Sequence, residues 1–148
     1  MTILVIEDDP VLADMFQVAF RANDISILEA RDRNTALGIL KLNADVDCVL
    51  MDWYMPGMTC EEFLQQLRRM RPSIPIMLMS AGTKVEQYAK KLGIPFFLKP
   101  FDFDDLIERL RVISTRHSGK RATRRLQAVE DREDRKPVQF QAQSKAGA

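Results

Sequence analysis

Short apolar runs alternate with longer amphipathic stretches along the first 114 residues of the chain. Ile3-Leu4-Val5-Ile6 is apolar and rich in β-branched residues, and Glu7-Asp8-Asp9-Pro10 closes it. That pattern predicts a buried strand leading into a helix. Pro10 suits the first helical turn, where its missing N–H costs nothing. Val11, Met15, Val18 and Ala19 recur at helical spacing and are expected to form the apolar face. Residues 25–29 alternate polar and apolar, which predicts a half-exposed strand. Asp32 is a candidate N-cap for a second helix with Ala36, Leu37 and Leu40 on one face.

Residues 48–51 predict a third strand, followed by the turn-forming Met55-Pro56-Gly57-Met58. Thr59 and Glu62 have the spacing of a capping box, and Phe63, Leu64, Leu67 and Met70 follow on one helical face. A fourth strand is expected over 75–79, a helix over 83–92 ended by Gly93, and a fifth strand over 96–98. The last helix is expected over 102–114, with Phe103, Leu106, Ile107, Leu110 and Ile113 as its stripe. Five strand–helix units give an α/β fold of the (βα)5 kind. Its sheet is five-stranded, doubly wound and parallel, joined by right-handed crossovers. The strands are nearly continuously apolar, as a sheet covered on both faces requires, and the more polar second strand suits an edge.

Composition sharpens the division of the chain. Hydrophobic residues make up 46% of the 148, enough for a real core. Residues 116–148 hold nine Lys or Arg against four acids, a net charge of +5, and the rest carries −4. The expected organisation is an acidic folded domain over 1–116 and a basic tail over 117–148, partly helical or disordered, with disorder from Lys136 on. The tail is too short for a DNA-binding domain with its own core, so a nucleic-acid partner is not expected. No apolar run is long enough to span a membrane, and the N-terminus lacks a secretory pattern, so no membrane partner and a cytoplasmic location are expected. Cys48 and Cys60 are too few for a disulfide scaffold and read as small packing or surface residues. With His117 as the single histidine, His-rich metal sites and Ser-His-Asp catalysis are not expected.

The chemistry gathers at the carboxyl ends of the strands, where open α/β sheets bind ligands. The first strand ends in Glu7-Asp8-Asp9, the third in Asp52, the fourth in Ser80 and the fifth in Lys99-Pro100. Carboxylates crowded on one rim repel each other, and a divalent cation relieves that; carboxylate and carbonyl oxygens suit Mg2+. A carboxylate is also a nucleophile toward phosphorus. Each residue has an ordinary alternative. Glu7 to Asp9 fit a helix N-terminus, Asp52 and Ser80 fit turns, Lys99 fits a solvated charge and Phe96 fits a core. Those accounts are independent, and none explains why the polar groups all end strands at one rim.

The segments Ile-Leu-Val-Ile-Glu7-Asp8-Asp9, Val-Leu-Met-Asp52-Trp-Tyr-Met-Pro-Gly-Met, Met-Leu-Met-Ser80-Ala and Phe-Phe-Leu-Lys99-Pro-Phe-Asp resemble the receiver domain of two-component response regulators. The resemblance covers roughly residues 1–116. It implies the flavodoxin-like strand order 2-1-3-4-5. It also implies a phospho-accepting switch rather than an ordinary enzyme, in a chain of the single-domain, chemotaxis-receiver-like kind. Asp52 would be the phospho-acceptor. Glu7, Asp8, Asp52 and the backbone carbonyl of Tyr54 would hold Mg2+, with Asp8 the direct ligand and Glu7 acting through water. Ser80 and Lys99 would contact the phosphoryl group, Phe96 would be the aromatic switch, and the Lys99-Pro100 bond would be cis. A sensor histidine kinase or a histidine phosphotransfer protein would supply the phosphoryl group. The output would be a downstream protein target, with a homodimer left open.

The chain also departs from the family. Only 19 positions separate Ser80 from Lys99, about a turn fewer than in most receivers, so the fourth helix is expected to be short. Cys60 stands where glycine is common. Tyr54 and Gly82 occupy positions that influence phosphate lifetime in the family. Two other functions fit less well. One is a receiver-like binding module that is never phosphorylated. The other is a phosphatase of the haloacid-dehalogenase kind, which wants a second Asp where Tyr54 stands.

Overall fold

The computed structural model describes residues 1–133. They fall into a compact unit over Met1–Ser118 and a second that begins at Gly119. The elements alternate as β1 (Thr2–Ile6), α1 (Pro10–Ala22), β2 (Ser26–Ala30), α2 (Arg33–Leu42), β3 (Cys48–Asp52), α3 (Cys60–Met70), β4 (Ile76–Ser80), α4 (Thr83–Leu92), β5 (Phe96–Leu98) and α5 (Phe103–Glu133). The strands pair in parallel in the order β2-β1-β3-β4-β5. The chain therefore reverses its winding after β2, and the crevice between β1 and β3 lies at the switch point.

Because side chains alternate across a strand, each buried strand feeds two cores. Leu4, Ile6, Val49, Met51, Ile76 and Leu78 face one layer with Ala36, Leu40, Phe63, Leu67 and Ala89. Ile3, Val5, Cys48, Leu50, Met77 and Met79 face the other with Phe16, Phe20, Leu106, Ile107 and Leu110. Both cysteines are buried, in opposite layers, and desolvation pushes the Cys60 thiol up to about 12, so it stays protonated.

The helix ends follow local chemistry. Asp9 caps α1 by accepting from the Val11 N–H at 2.9 Å, and Asp32 caps α2 by accepting from the Thr35 N–H at 2.7 Å. Thr59 and Glu62 form the reciprocal capping box of α3. Gly93 ends α4 at φ 65°, a left-handed cap that glycine adopts without steric cost. The fourth helix, α4, has 10 residues, the same length as α2.

Two expectations are corrected. The apolar stripe of α1 is Leu12, Phe16, Ala19 and Phe20, whereas Val11 (66%), Met15 (49%) and Val18 (73%) stand exposed. Two stripes share the helical period, and the bulk of the two phenylalanines decides which one turns inward. The last helix also passes its expected end at Ser114 and runs to Glu133. The apolar stripe stops near Ile113, but no proline stands between it and Glu133 and residues 115–133 are mostly good helix formers. The disorder expected from Lys136 on lies outside the described residues.

Candidate functional site

Strand register determines which side chains meet at the carboxyl edge. Glu7 follows β1 and its N–H still donates to the Ala30 carbonyl at 3.0 Å, so its side chain emerges at a fixed height. Asp52 closes β3 opposite Met79, and Ser80 closes β4 opposite Leu98. The Lys99 N–H donates to the Ser80 carbonyl at 2.9 Å, which fixes where the lysine leaves β5. The Lys99–Pro100 bond is cis.

These positions converge. The Lys99 Nζ donates to Glu7 Oε2 and to Asp52 Oδ2, each at 3.0 Å. The two carboxylates are almost fully buried, with side chains 2% and 9% exposed, and the lysine is 21% exposed. Ligand oxygens of Glu7, Asp8 and Asp52 all lie within 4.8 Å of one another. Asp8 is the solvent-facing member of the three. The second carboxylate oxygen of Glu7 accepts the Asp9 N–H at 3.0 Å, and the second oxygen of Asp52 accepts the Tyr54 N–H at 3.3 Å. Every carboxylate oxygen of the buried pair is therefore held.

The electrostatics follow from burial. Desolvation raises the Glu7 carboxyl above its ordinary value, although the Asp9 N–H and Lys99 oppose the rise. Burial alone would lower Lys99, but its bonds to Asp52 and Glu7 outweigh that and raise it. The ammonium is firmly charged and neutralises only part of the acidic cluster. Three carboxylates against one lysine leave an anionic rim of hard oxygens, whose close spacing and donor type fit Mg2+.

Around this centre lie the remaining candidates. Ser80 is fully buried and its Oγ accepts the Gly82 N–H at 3.1 Å. Tyr54 is exposed, and its ring leans over the loop between β4 and α4. A Cβ added at Gly82 would sit 2.9 Å from the tyrosine Oη. Phe96 is half-buried against the layer that holds α2 and α3, in the company of Trp53 and Met55. Trp53 also meets Tyr88 of α4 edge-on at 4.7 Å between centroids. Asp9, kept out of the metal set in the sequence reading, serves as the cap of α1 and as a backbone donor to Glu7.

Sequence reasoning missed Arg33. It is the first residue of α2, it is 2% exposed, and its guanidinium reaches under the loop after β3. Nη1 donates to the carbonyls of Met58 (2.7 Å) and Met55 (3.5 Å), and Nη2 to those of Trp53 (2.7 Å) and Asp52 (3.2 Å). A signal was present: Arg33 shares the i, i+3, i+4, i+7 stripe with Ala36, Leu37 and Leu40, a cation on an otherwise apolar face.

The comparisons with known proteins agree on one family. The model of the response regulator receiver domain matches residues 3–111. A probable transcriptional regulatory protein, TcrX, of Mycobacterium tuberculosis is 32% identical over 119 residues, covering 78% of this chain and 50% of the relative. The cell cycle response regulator CtrA of Brucella ovis is 29% identical over 122 residues, covering 80% and 52%. The chain thus spans about half the length of the curated relatives it matches. The solved receiver domain of the Francisella response regulator 1452 superposes with a TM-score of 0.69 at 30% identity, covering 78% of this chain and 97% of that one.

Proposed function

The chain belongs to the response regulator receiver family, and on that premise we propose that it is a Mg2+-dependent switch phosphorylated on Asp52 by a phosphohistidine donor. One observation carries the proposal: Lys99 bridges Asp52 and Glu7 at 3.0 Å each, with Asp8 within ligand distance of both carboxylates. Glu7, Asp8, Asp52 and the Tyr54 carbonyl are the groups that would hold the metal. When bound it supplies positive charge against the phosphoryl oxygens.

An Asp52 oxygen attacks phosphorus as the P–N bond to the donor histidine breaks, and the imidazole leaves with the bonding pair and takes up a proton. The product is an acyl phosphate on Asp52. Lys99 then turns from the free carboxylate to a phosphoryl oxygen, where its point charge is equally at home. Ser80, whose Oγ now accepts from Gly82, has a hydroxyl proton to offer that new anion. Hydrolysis returns the carboxylate and inorganic phosphate. Trp53, next to Asp52, meets Tyr88 of α4, and Phe96 packs on the same core layer, so a changed loop alters an aromatic surface that a downstream protein reads.

The donor's docking surface is the flank of α1. Val11, Met15 and Val18 are exposed on one side of the helix that begins immediately after Asp9, next to the acidic rim. A helical histidine-bearing partner that covers this stripe buries apolar surface and brings its imidazole to Asp52. No helix among the described residues is long and apolar enough to cross a membrane, and a cytoplasmic location goes with this role.

The test is phosphorylation by a small phosphoryl donor and by candidate kinases, with Mg2+ or with EDTA, on wild type and Asp52→Asn. Acid-stable, hydroxylamine-labile label on the wild type alone, and only with Mg2+, is the expected result. Label that persists on Asp52→Asn overturns the proposal.

A further inference from the structure

We infer that Arg33 is a positioning residue that shapes the loop after β3 into a metal-binding loop. The inference rests on the phosphorylation reading above and concerns how its metal site is built. The guanidinium gathers the carbonyls of Asp52, Trp53, Met55 and Met58 from beneath. These acceptors do not include Tyr54. In the stretch from Asp52 to Met55, Arg33 takes the carbonyls on either side and leaves the one the metal needs.

The chemistry of the side chain suits this role. A guanidinium is planar and offers five donors in a fixed fork, so it ties several acceptors into one geometry. A lysine ammonium has no such fork. Burying a cation that faces only carbonyl dipoles is costly, and no carboxylate is its partner in these contacts. Its Nε is buried without a hydrogen-bond partner, a further cost. A loop held at that expense is held for its shape. The remaining loop residues agree: Gly57 sits at φ 90°, a left-handed bend that lets the chain turn back so that Met58 reaches the same guanidinium. Groups outside the immediate ligand shell commonly set metal affinity in this way.

The experiment measures Mg2+ affinity directly, by calorimetry and by Trp53 fluorescence, for the full chain as wild type, Arg33→Lys and Arg33→Met. Leu40→Ala, which removes a buried side chain from the same helix without touching the loop, serves as the control for lost stability. Both Arg33 variants are expected to bind Mg2+ about 10–100-fold more weakly, in line with the loss of an outer support. Leu40→Ala is expected to bind as wild type does, and in a third substitution, Arg33→Ala, which leaves room for the missing group, added methylguanidinium is expected to restore affinity. Equal affinity in wild type and the Arg33 variants, or equal weakening in Leu40→Ala, overturns the inference and leaves the phosphorylation reading intact. Failure of wild type to bind Mg2+ at all sinks both. Should the variants unfold, NMR of the wild-type Arg33 guanidinium decides. Slow exchange and a shift on adding Mg2+ support the inference, and fast exchange indifferent to Mg2+ refutes it.

Discussion

Replacing Lys99 with methionine keeps the apolar stem and deletes the charge that joins Glu7 to Asp52. At an effective dielectric constant of about 20, each 3.0 Å contact corresponds to a gross attraction of about 5.5 kcal/mol. Desolvation of the ions cancels most of that, and removing one partner of a buried pair costs about 3–5 kcal/mol in practice. Lys99 is 21% exposed, which places the loss near the lower end, about 3 kcal/mol. For a unit of this size that lowers Tm by roughly 10 °C in the absence of divalent ions. Two dependences identify the cause. The rim of the variant is more negative by one charge, so it binds Mg2+ more tightly than wild type. Each tenfold gain in affinity narrows the gap at saturating Mg2+ by about 1.4 kcal/mol. The gap also depends on pH. Glu7 is already raised by burial, and without the ammonium it rises further. A raised carboxyl binds its proton better in the folded state than in the unfolded one. The destabilisation is therefore full above the folded value and fades as pH falls through it toward the unfolded value of about 4.3. The lysine itself adds no slope in this range, because its raised value keeps it charged in both states. Thermal unfolding of both proteins at pH 5 and pH 8, in EDTA and in Mg2+, reads all of this. A variant as stable as wild type in EDTA at pH 8, or a gap that neither Mg2+ nor acid narrows, refutes the reasoning.

Three further outcomes follow from the geometry. Tyr54→Ala removes the ring that leans over Gly82, opens the rim to water and should shorten the aspartyl-phosphate lifetime by several-fold; an unchanged decay of radiolabelled protein discards the idea. Gly82→Ala puts a Cβ 2.9 Å from the Tyr54 hydroxyl, so the flexible ring must swing aside; decay should quicken in the same direction, and the double variant should add little to either single one. Val11→Asp with Val18→Asp should slow phosphotransfer from a histidine donor protein at least tenfold and leave labelling by a small phosphoryl donor unchanged, because the charges fall on α1 and not on the rim; equal effects on both donors would remove α1 from the docking surface.

The parts of this molecule that the sequence announces are those where residue type alone carries the constraint. Five strand-forming runs, four of them closed by polar residues, imply a parallel sheet with a chemical rim, and Glu7, Asp8, Asp52, Ser80 and Lys99 are named by where those four runs end. Helix phase is harder. In α1 the sets 11, 15, 18 and 12, 16, 19 have the same period, so periodicity identifies a helix without saying which stripe is buried. The choice falls to the larger buried area of Phe16 and Phe20, each stabilising by about 1.5–3 kcal/mol, which leaves the valines on the surface.

Arg33 is hard to read for a different reason. Lys99 is found by its own chemistry, because three acids on one rim demand a cation. Arg33 answers to main-chain carbonyls, which every residue possesses and no sequence displays. Its demand arises only once the loop of residues 53–58 is folded and its carbonyls point inward. The two cations thus divide the work around Asp52. One balances its carboxylate, and the other fixes the backbone behind it. A charge on an apolar helical stripe, one residue after an N-cap and near a glycine-bearing loop, is the trace such a group leaves. Where that trace occurs, backbone carbonyls are the first partners to look for.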